Sequence, residues 1–490
     1  VPGDAILVVD AGTSAMRASL VAADGAATAV TIEPWSTFVP EDAAPFGREF
    51  DPEEVADALR RVLEAASAHR ERVAAIAFTG QREGMAFVDD RGIGVFASPN
   101  IDARASAEGI AIDAVRGAEV YSATGHLPSL MQAPAKLQWL RANRPETAAR
   151  VRHAVPFVDW LGSLLTGSVS MSRTLANENG LRCVGTDDAP AAMLEALDFE
   201  AELLPPVIAD GAIAGAVSEG AFAGTPVVLA GADTQCALLA MGALRPGECG
   251  VAAGWSAPLQ LVTASPIIDS EQRTWTGLHV VPGRWILESN ALETGRAWEW
   301  ICSILSISPD EAERLAAVVP ACAGDALAVL GPRVMRASRL NAGIGALTLP
   351  LPLAMSAPNR GELLRSVLET AAYTLRANLE QLEAIGGARI ERLGFGGGMS
   401  RSAVFSQIVA DVIDRPVDVA ASPETSSVGA AMLASVAVGL HTSLERAVVA
   451  MASGGRVVEP EMRASAAYED AYSRWCWLAD EFERLAVEGG

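Results

Sequence analysis

One short pattern occurs twice in this chain. An apolar run at residues 6–9 ends in Asp10-Ala11-Gly12-Thr13-Ser14, and a second apolar run follows at 16–21. Far downstream, residues 251–253 lead into Gly254-Trp255-Ser256 and then into the run 258–262. Each reads as strand, glycine-bearing turn, strand: a β-hairpin with small hydroxyl residues at its tip. A chain that carries this unit in both halves is expected to be duplicated, each half presenting one hairpin to a shared cleft. At 490 residues it is also too long for one core, and two domains of roughly 200–250 residues are expected. The break falls at 242–250, where Pro246 and three glycines interrupt any regular element. The expected domains are therefore 1–244 and 245–490.

Further buried strands are expected at 73–78 and 226–230, each ending in a polar, glycine-bearing loop. Strands that end in such loops suit a sheet with helices on its faces, an α/β fold. Leu368, Ala372, Leu375, Leu379 and Leu382 alternate spacings of four and three and predict one face of a long helix. A strand at 392–395, the loop Gly396-Gly397-Gly398-Met399-Ser400 and a helix bearing Phe405, Ile408, Val409 and Val412 follow. Another helix is predicted after Glu424-Thr425-Ser426-Ser427.

A single lysine, Lys136, occurs in the whole sequence, and no glycine precedes it. This excludes a GxxxxGK[ST] phosphate loop and leaves no strand lysine of the protein-kinase type. Any nucleotide site must hold phosphates with backbone amides, hydroxyls, arginine and metal. The net charge of −23 and the lack of a basic run argue against nucleic acid as a partner. No apolar stretch approaches ~18 uncharged residues, so no membrane span is expected. The chain opens almost directly on a strand without a basic leader, and its six cysteines are scattered, with no CxxC pair. Free thiols and a cytoplasmic location are expected.

Four motifs carry possible chemistry. Asp10-x-Gly12-Thr13-Ser14 is either an ordinary Asx-type turn or an anion cradle, with Asp10 placed to hold a metal. Gln81-Arg82-Glu83 is either a solvated salt bridge or a set of donors and acceptors for substrate hydroxyls. Asp233, at the end of a strand and ahead of an Ala/Leu-rich helix, is either an N-cap or a general base. Gly396-Gly397-Gly398 is either a flexible turn or a flat seat for an adenine.

Their order along the chain resembles that of the FGGY carbohydrate kinases. The resemblance runs from about Ile6 to Gly439 and includes Thr124-Gly125, Lys136-Leu137-Gln138-Trp139-Leu140 and Leu204-Pro205-Pro206-Val207. It implies two actin/hexokinase-like (ribonuclease H-like) domains with an interdomain cleft, and transfer of the ATP γ-phosphate, with Mg²⁺, to a sugar or polyol hydroxyl. By residue match it implies Asp233 as catalytic base and Asp10 and Asp233 at the metal. Gly12, Thr13, Ser14 and Arg17 fall in the first phosphate loop, Gly254 and Ser256 in the second, and Gly397, Gly398 and Met399 in the adenosine loop. Gln81, Arg82, Glu83, Asp102, Asp233 and Gln235 fall where substrate is held. A homodimer is expected by analogy alone.

Two departures matter. Trp255 stands where the second loop usually has threonine. Arg82-Glu83-Gly84 replaces the Met-His-Gly of xylulokinases and, with Asn100-x-Asp102-Ala103-Arg104 and Arg333-x-Met335-Arg336, is most similar to the autoinducer-2 kinase branch. That branch implies a linear five-carbon dihydroxy-dione as substrate, with a pentulose such as xylulose as runner-up. Trp255 motivates one alternative, a non-catalytic sugar or nucleotide sensor on the same fold. A chaperone-like ATPase is the other, and Gln81-Arg82-Glu83 counts against it.

Overall fold

The computed structural model describes residues 3–186, 188–291, 293–322, 325–339, 345–349 and 359–488. In the first half, β1 (Ala5–Ala11), β2 (Ala15–Ala22), β3 (Ala27–Pro34), β4 (Val73–Gly80), β5 (Ala212–Ala216) and β6 (Pro226–Ala232) form one sheet in the order β5-β6-β4-β1-β2-β3. In the second half, β7 (Cys249–Ala252), β8 (Ala257–Thr263), β9 (Trp275–Leu278), β10 (Trp285–Ala291), β11 (Leu393–Gly396), β12 (Val417–Val419) and β13 (Arg456–Val458) form another, in the order β9-β10-β8-β7-β11-β12-β13.

The expected duplication is present, with β9 as an extra edge strand in the second sheet. β1 is antiparallel to β2 and parallel to β4, which is parallel to β6. β7 is antiparallel to β8 and parallel to β11, which is parallel to β12. The third strand of each half, β3 or β10, lies antiparallel outside the hairpin. Every residue of β1 is buried, as a continuous apolar run covered on both faces requires.

Five helices position the site: α1 (Arg173–Glu178), α2 (Asp233–Ala240), α3 (Gly295–Ile304), α4 (Arg360–Gly386) and α5 (Thr425–Ala437). The long helix predicted from leucine spacing is α4, and its Leu368, Leu375, Leu379 and Leu382 pack in one core with Val251, Leu259 and Phe395 of the second sheet. α5 belongs to the second half in sequence yet covers the first sheet, its Val428, Met432 and Leu433 packing with Ile6, Val8 and Val228. It starts at Thr425 rather than after Ser427. α2 turns Leu239 toward the first sheet and Leu238 toward Val262 and Ile286 of the second. The two halves are thus joined through α2 and α5 side by side. Residues 241–248 form the irregular connection between them. The six cysteines are free, and among the described residues no helix is long and apolar enough to cross a membrane.

α2 and α5 touch backbone to backbone at Gly429, where an added Cβ would lie 1.8 Å from the Cys236 carbonyl oxygen. A methyl group there has no flexible neighbour to displace. Gly429→Ala is expected to cost about 1–3 kcal/mol and to lower the thermal midpoint, read by calorimetry; an unchanged midpoint would contradict this packing.

Candidate active site

β4 separates β1 from β6, with Asp10 paired to Thr79 and Ala232 paired to Gly80. Asp10 near the end of β1 and Asp233 just past β6 therefore stand at the same carboxyl-terminal edge, where sheets of parallel strands bind ligands. An added Cβ on Gly80 would meet the Ala11 carbonyl oxygen at 2.3 Å, so the strand ends approach closely there. The N-cap of α2 is Ala232. Asp233 is the first residue of the helix and does not cap it, and its Oδ1 accepts the Thr234 N–H at 2.7 Å. Burial and the neighbouring Asp10 charge push the Asp233 carboxyl up to about 7, with Arg82 pulling the other way. Burial also raises Asp10, against the Ser426 hydroxyl, which donates to its Oδ2 at 2.6 Å, and against the charge of Arg17.

Each hairpin is closed by its glycine amide. Gly12 N–H donates to Ala15 O at 3.0 Å, and Gly254 N–H donates to Ser256 O at 2.9 Å. Around the first, the Thr13 hydroxyl donates to Asn100 Oδ1 at 2.9 Å, Ser14 and Arg17 are exposed, and Arg17 pairs across the strands with Asp10. At the second, the carbonyls of Gly254 and Trp255 accept the first amides of α3, from Gly295 and Arg296. Met399 N–H donates to Ala253 O at 3.0 Å, and Gly397 holds φ +84°, so the glycine loop lies directly against this hairpin. Trp255 is exposed and its indole donates to Glu299 at 3.2 Å. The start of α5 links the two sites: Ser426 reaches Asp10, and its neighbour Thr425 abuts Gly396.

Between the sheets lies a charged network. Arg82 makes a two-pronged bond to Glu288 of β10, at 2.7 and 3.0 Å, and lies 3.5 Å from Glu178 at the end of α1. Its guanidinium also sits over the Trp275 ring. Gln260 donates to Glu288 at 2.7 Å and Gln235 donates to Glu178 at 2.6 Å. His126 faces acceptors at both ring nitrogens, the Thr124 carbonyl at 3.0 Å and Glu178 at 3.2 Å. A carbonyl at one nitrogen and a carboxylate at the other favour the doubly protonated ring. Burial opposes that charge and the Glu178 carboxylate holds it in place, raising the pKa. Glu83, at φ +58°, has its carbonyl fixed by Lys136 Nζ at 2.8 Å. Burial raises its carboxyl.

Not all expected substrate residues offer free polar atoms. Both ends of the Gln81 amide are engaged, donating to Gly12 O at 3.2 Å and accepting the Asn100 N–H at 2.8 Å. Asp102 is wholly buried and accepts the Arg104 side chain and the Arg48 N–H. Arg104 is itself sandwiched between Phe96 and Trp139. The Gln235 amide joins Glu178 to Thr234. These three residues brace the pocket. Arg333 pairs with Asp480, and Met335 is anchored to Asn378 of α4. His126, Glu178, Gln260, Glu288 and Ser426 carry no signal in the sequence. Each is a common residue in an unremarkable stretch and acquires a role only through partners far along the chain.

The two halves share one strand topology and each carries a tight hairpin, with Asp10 and Asp233 at the edge of the first sheet. Residues 5–240 match the N-terminal domain, and residues 251–438 the C-terminal domain, of the FGGY family of carbohydrate kinases, and the chain belongs to that family. It is similar over 96% of its length to an autoinducer-2 kinase of Escherichia coli O139:H28, at 28% identity and covering 93% of that protein. Among solved structures it is similar to a xylulose kinase from Rhodospirillum rubrum, with 25% identity, a TM-score of 0.83 and coverage of 99% and 100% of the two chains. Another is a ligand-bound xylulose kinase from Lactobacillus acidophilus, with 18% identity, a TM-score of 0.87 and the same coverage.

The raised Asp233 pKa has a consequence for stability. Between the ordinary carboxyl value of 3.8 and about 7, the folded chain holds a proton that the unfolded chain has released. Its stabilising contribution is complete below the lower value and is lost as pH rises through the upper one. Asp233→Asn in the ligand-free protein is expected to raise the thermal midpoint at pH 8 by roughly 2–4 °C and to leave it nearly unchanged near pH 4. An equal midpoint at pH 8 would show that Asp233 carries no such penalty.

Proposed function

We propose that this kinase phosphorylates a hydroxyl of a small, uncharged, five-carbon ketose-like compound with ATP, and that Asp233 is its general base. A linear dihydroxy-dione of the autoinducer-2 precursor type is the leading candidate, and a pentulose such as xylulose is second. The observation that carries the proposal is the partly exposed Asp233 carboxyl raised to about 7 between the two halves. A base titrating near the working pH combines ionisation with proton affinity.

The acceptor's neutrality follows from charge. Arg82 and His126 are each already paired with Glu178 or Glu288, while Asp10, Asp233 and Glu83 add carboxyls and no cation. A carboxylate or phosphate on the acceptor would meet no spare cation among these groups. Glu83 and Asp233, partly exposed, are the acceptors left for substrate hydroxyls. The autoinducer-2 kinase relative and the Arg82-Glu83-Gly84 motif support the dione over the pentulose.

The hairpins at Gly12 and Gly254 supply amides and hydroxyls for the phosphates, and Gly397, Gly398 and Met399 seat the adenosine. Asp10 and Asp233 suit Mg²⁺, which takes one or two protein carboxylates and completes its shell with phosphate and water. When bound, the ion would neutralise phosphate charge that this acidic site otherwise repels. The protein's own part is positioning: Asp233 accepts the hydroxyl proton while the pocket orients the acceptor and the closed halves exclude water.

Sugar-dependent ADP release across a panel of the dione, pentuloses, polyols and sugar acids tests this reading. Turnover is expected to be highest with the dione and absent with sugar acids. ATP consumption without sugar would favour the ATPase alternative, and sugar binding without consumption would favour the sensor.

Asp233→Asn is expected to lower kcat by roughly 10²–10⁴-fold and to abolish the rise of kcat/KM through pH 7 expected of the wild type. Near wild-type turnover would remove Asp233 from this role.

A further inference from the structure

β6 does not run straight into α2. Its pairing with β4 slips between Leu229 and Gly231, and Gly231 adopts φ +92°. Such a bulge removes regular ladder partners and re-aims the side chains beyond it. The peptide group between Gly231 and Ala232, immediately before Asp233, is instead gripped by two side chains. The Thr79 hydroxyl on β4 donates to the Gly231 carbonyl at 2.9 Å, and the Ala232 N–H donates to the Thr174 hydroxyl on α1 at 3.0 Å. Both threonines are wholly buried.

The second grip has a fixed sense. Asp210 Oδ1 takes the single Thr174 hydroxyl proton at 2.8 Å and the Thr174 N–H at 3.1 Å. The Thr174 oxygen is left to accept, and its rotamer is set. No side chain fits at the bulge, since an added Cβ on Gly231 would lie 2.4 Å from Thr174 Oγ1 and 2.5 Å from Asp210 Oδ1. α1 carries this contact near its start and Glu178 at its end, so one short helix sets the polyol pocket against the base.

We propose that Thr79 and Thr174, the latter oriented by Asp210, are positioning residues that fix the 231–232 peptide plane and thereby the direction in which Asp233 faces its substrate. This rests on Asp233 being the base. A purely structural role would be to satisfy buried backbone groups, and would show in stability without a specific loss of turnover.

The test is steady-state ADP release by the full chain with the sugar it turns over fastest, comparing Thr174→Val, Thr174→Ser and Asp233→Asn. Thr174→Val keeps the shape and loses the hydroxyl. It is expected to lower kcat by about 10- to 100-fold with both KM values within about threefold of wild type. Thr174→Ser, which restores the hydroxyl, is expected to recover kcat to within about threefold. Wild-type kcat in Thr174→Val beside an inactive Asp233→Asn would overturn the clamp alone. So would a serine variant as slow as the valine one, or a loss shared equally by kcat and KM. Full activity in Asp233→Asn would instead overturn the base, and the clamp with it. If Thr174→Val does not fold, Thr79→Val and Thr79→Ser are compared on the same terms; failure of both valine variants to fold would mark the threonines as structural and overturn the proposal.

Discussion

Asp10 and Asp233 stand at the same edge of a sheet with only one strand between them, and the surrounding structure has to manage their repulsion. Water would screen it, but both groups are drawn into the interior between the halves. The protein answers with graded partners in place of a full counter-ion. Ser426 gives Asp10 a hydroxyl proton, Arg17 lies across the hairpin, and Arg82 contributes from a distance because its own charge is committed to Glu288 and Glu178. A tightly paired cation at Asp233 would lower its pKa. Incomplete compensation keeps the carboxyl near neutrality.

The same economy explains why the pocket is built by both halves. Arg82 leaves the end of a first-half strand, while Glu288 and Gln260 come from the second sheet. A buried arginine needs a carboxylate with good geometry, and removing either partner leaves a costly isolated charge. The Arg82–Glu288 pair therefore ties the loop after β4 to the second sheet. The Asp10–Ser426 bond joins the start of α5 to the end of β1. Any motion between the halves must exchange or preserve these contacts.

How far the sequence reveals this depends on the range of each interaction. The hairpins are legible because glycine and hydroxyl residues at a strand end form a local pattern, and the pattern recurs. The long helix α4 is legible because its leucines repeat within one element. Asp233 is visible as a carboxylate after an apolar run, but only the structure separates a capping residue from one that follows the cap. Glu288 lies 206 residues from Arg82, and nothing near either position signals the other. Gln81 and Asp102 show the reverse limit. Their chemistry suits hydroxyl recognition, yet a sequence does not show which polar atoms are already engaged. Ser426 reads in sequence as preceding a helix; it lies within the first turn of α5, which aims it at Asp10.

The lone lysine has a chemical consequence beyond the missing phosphate-loop motif. Free ε-amines condense with ketones and diones to give Schiff bases and, in time, glycation adducts. Lys136 is wholly buried with its nitrogen bound to the Glu83 carbonyl. Burial therefore removes the only ε-amine in the sequence from any carbonyl compound in the surrounding solution, and the side chain that braces the loop after β4 is the one most prone to such adducts when exposed.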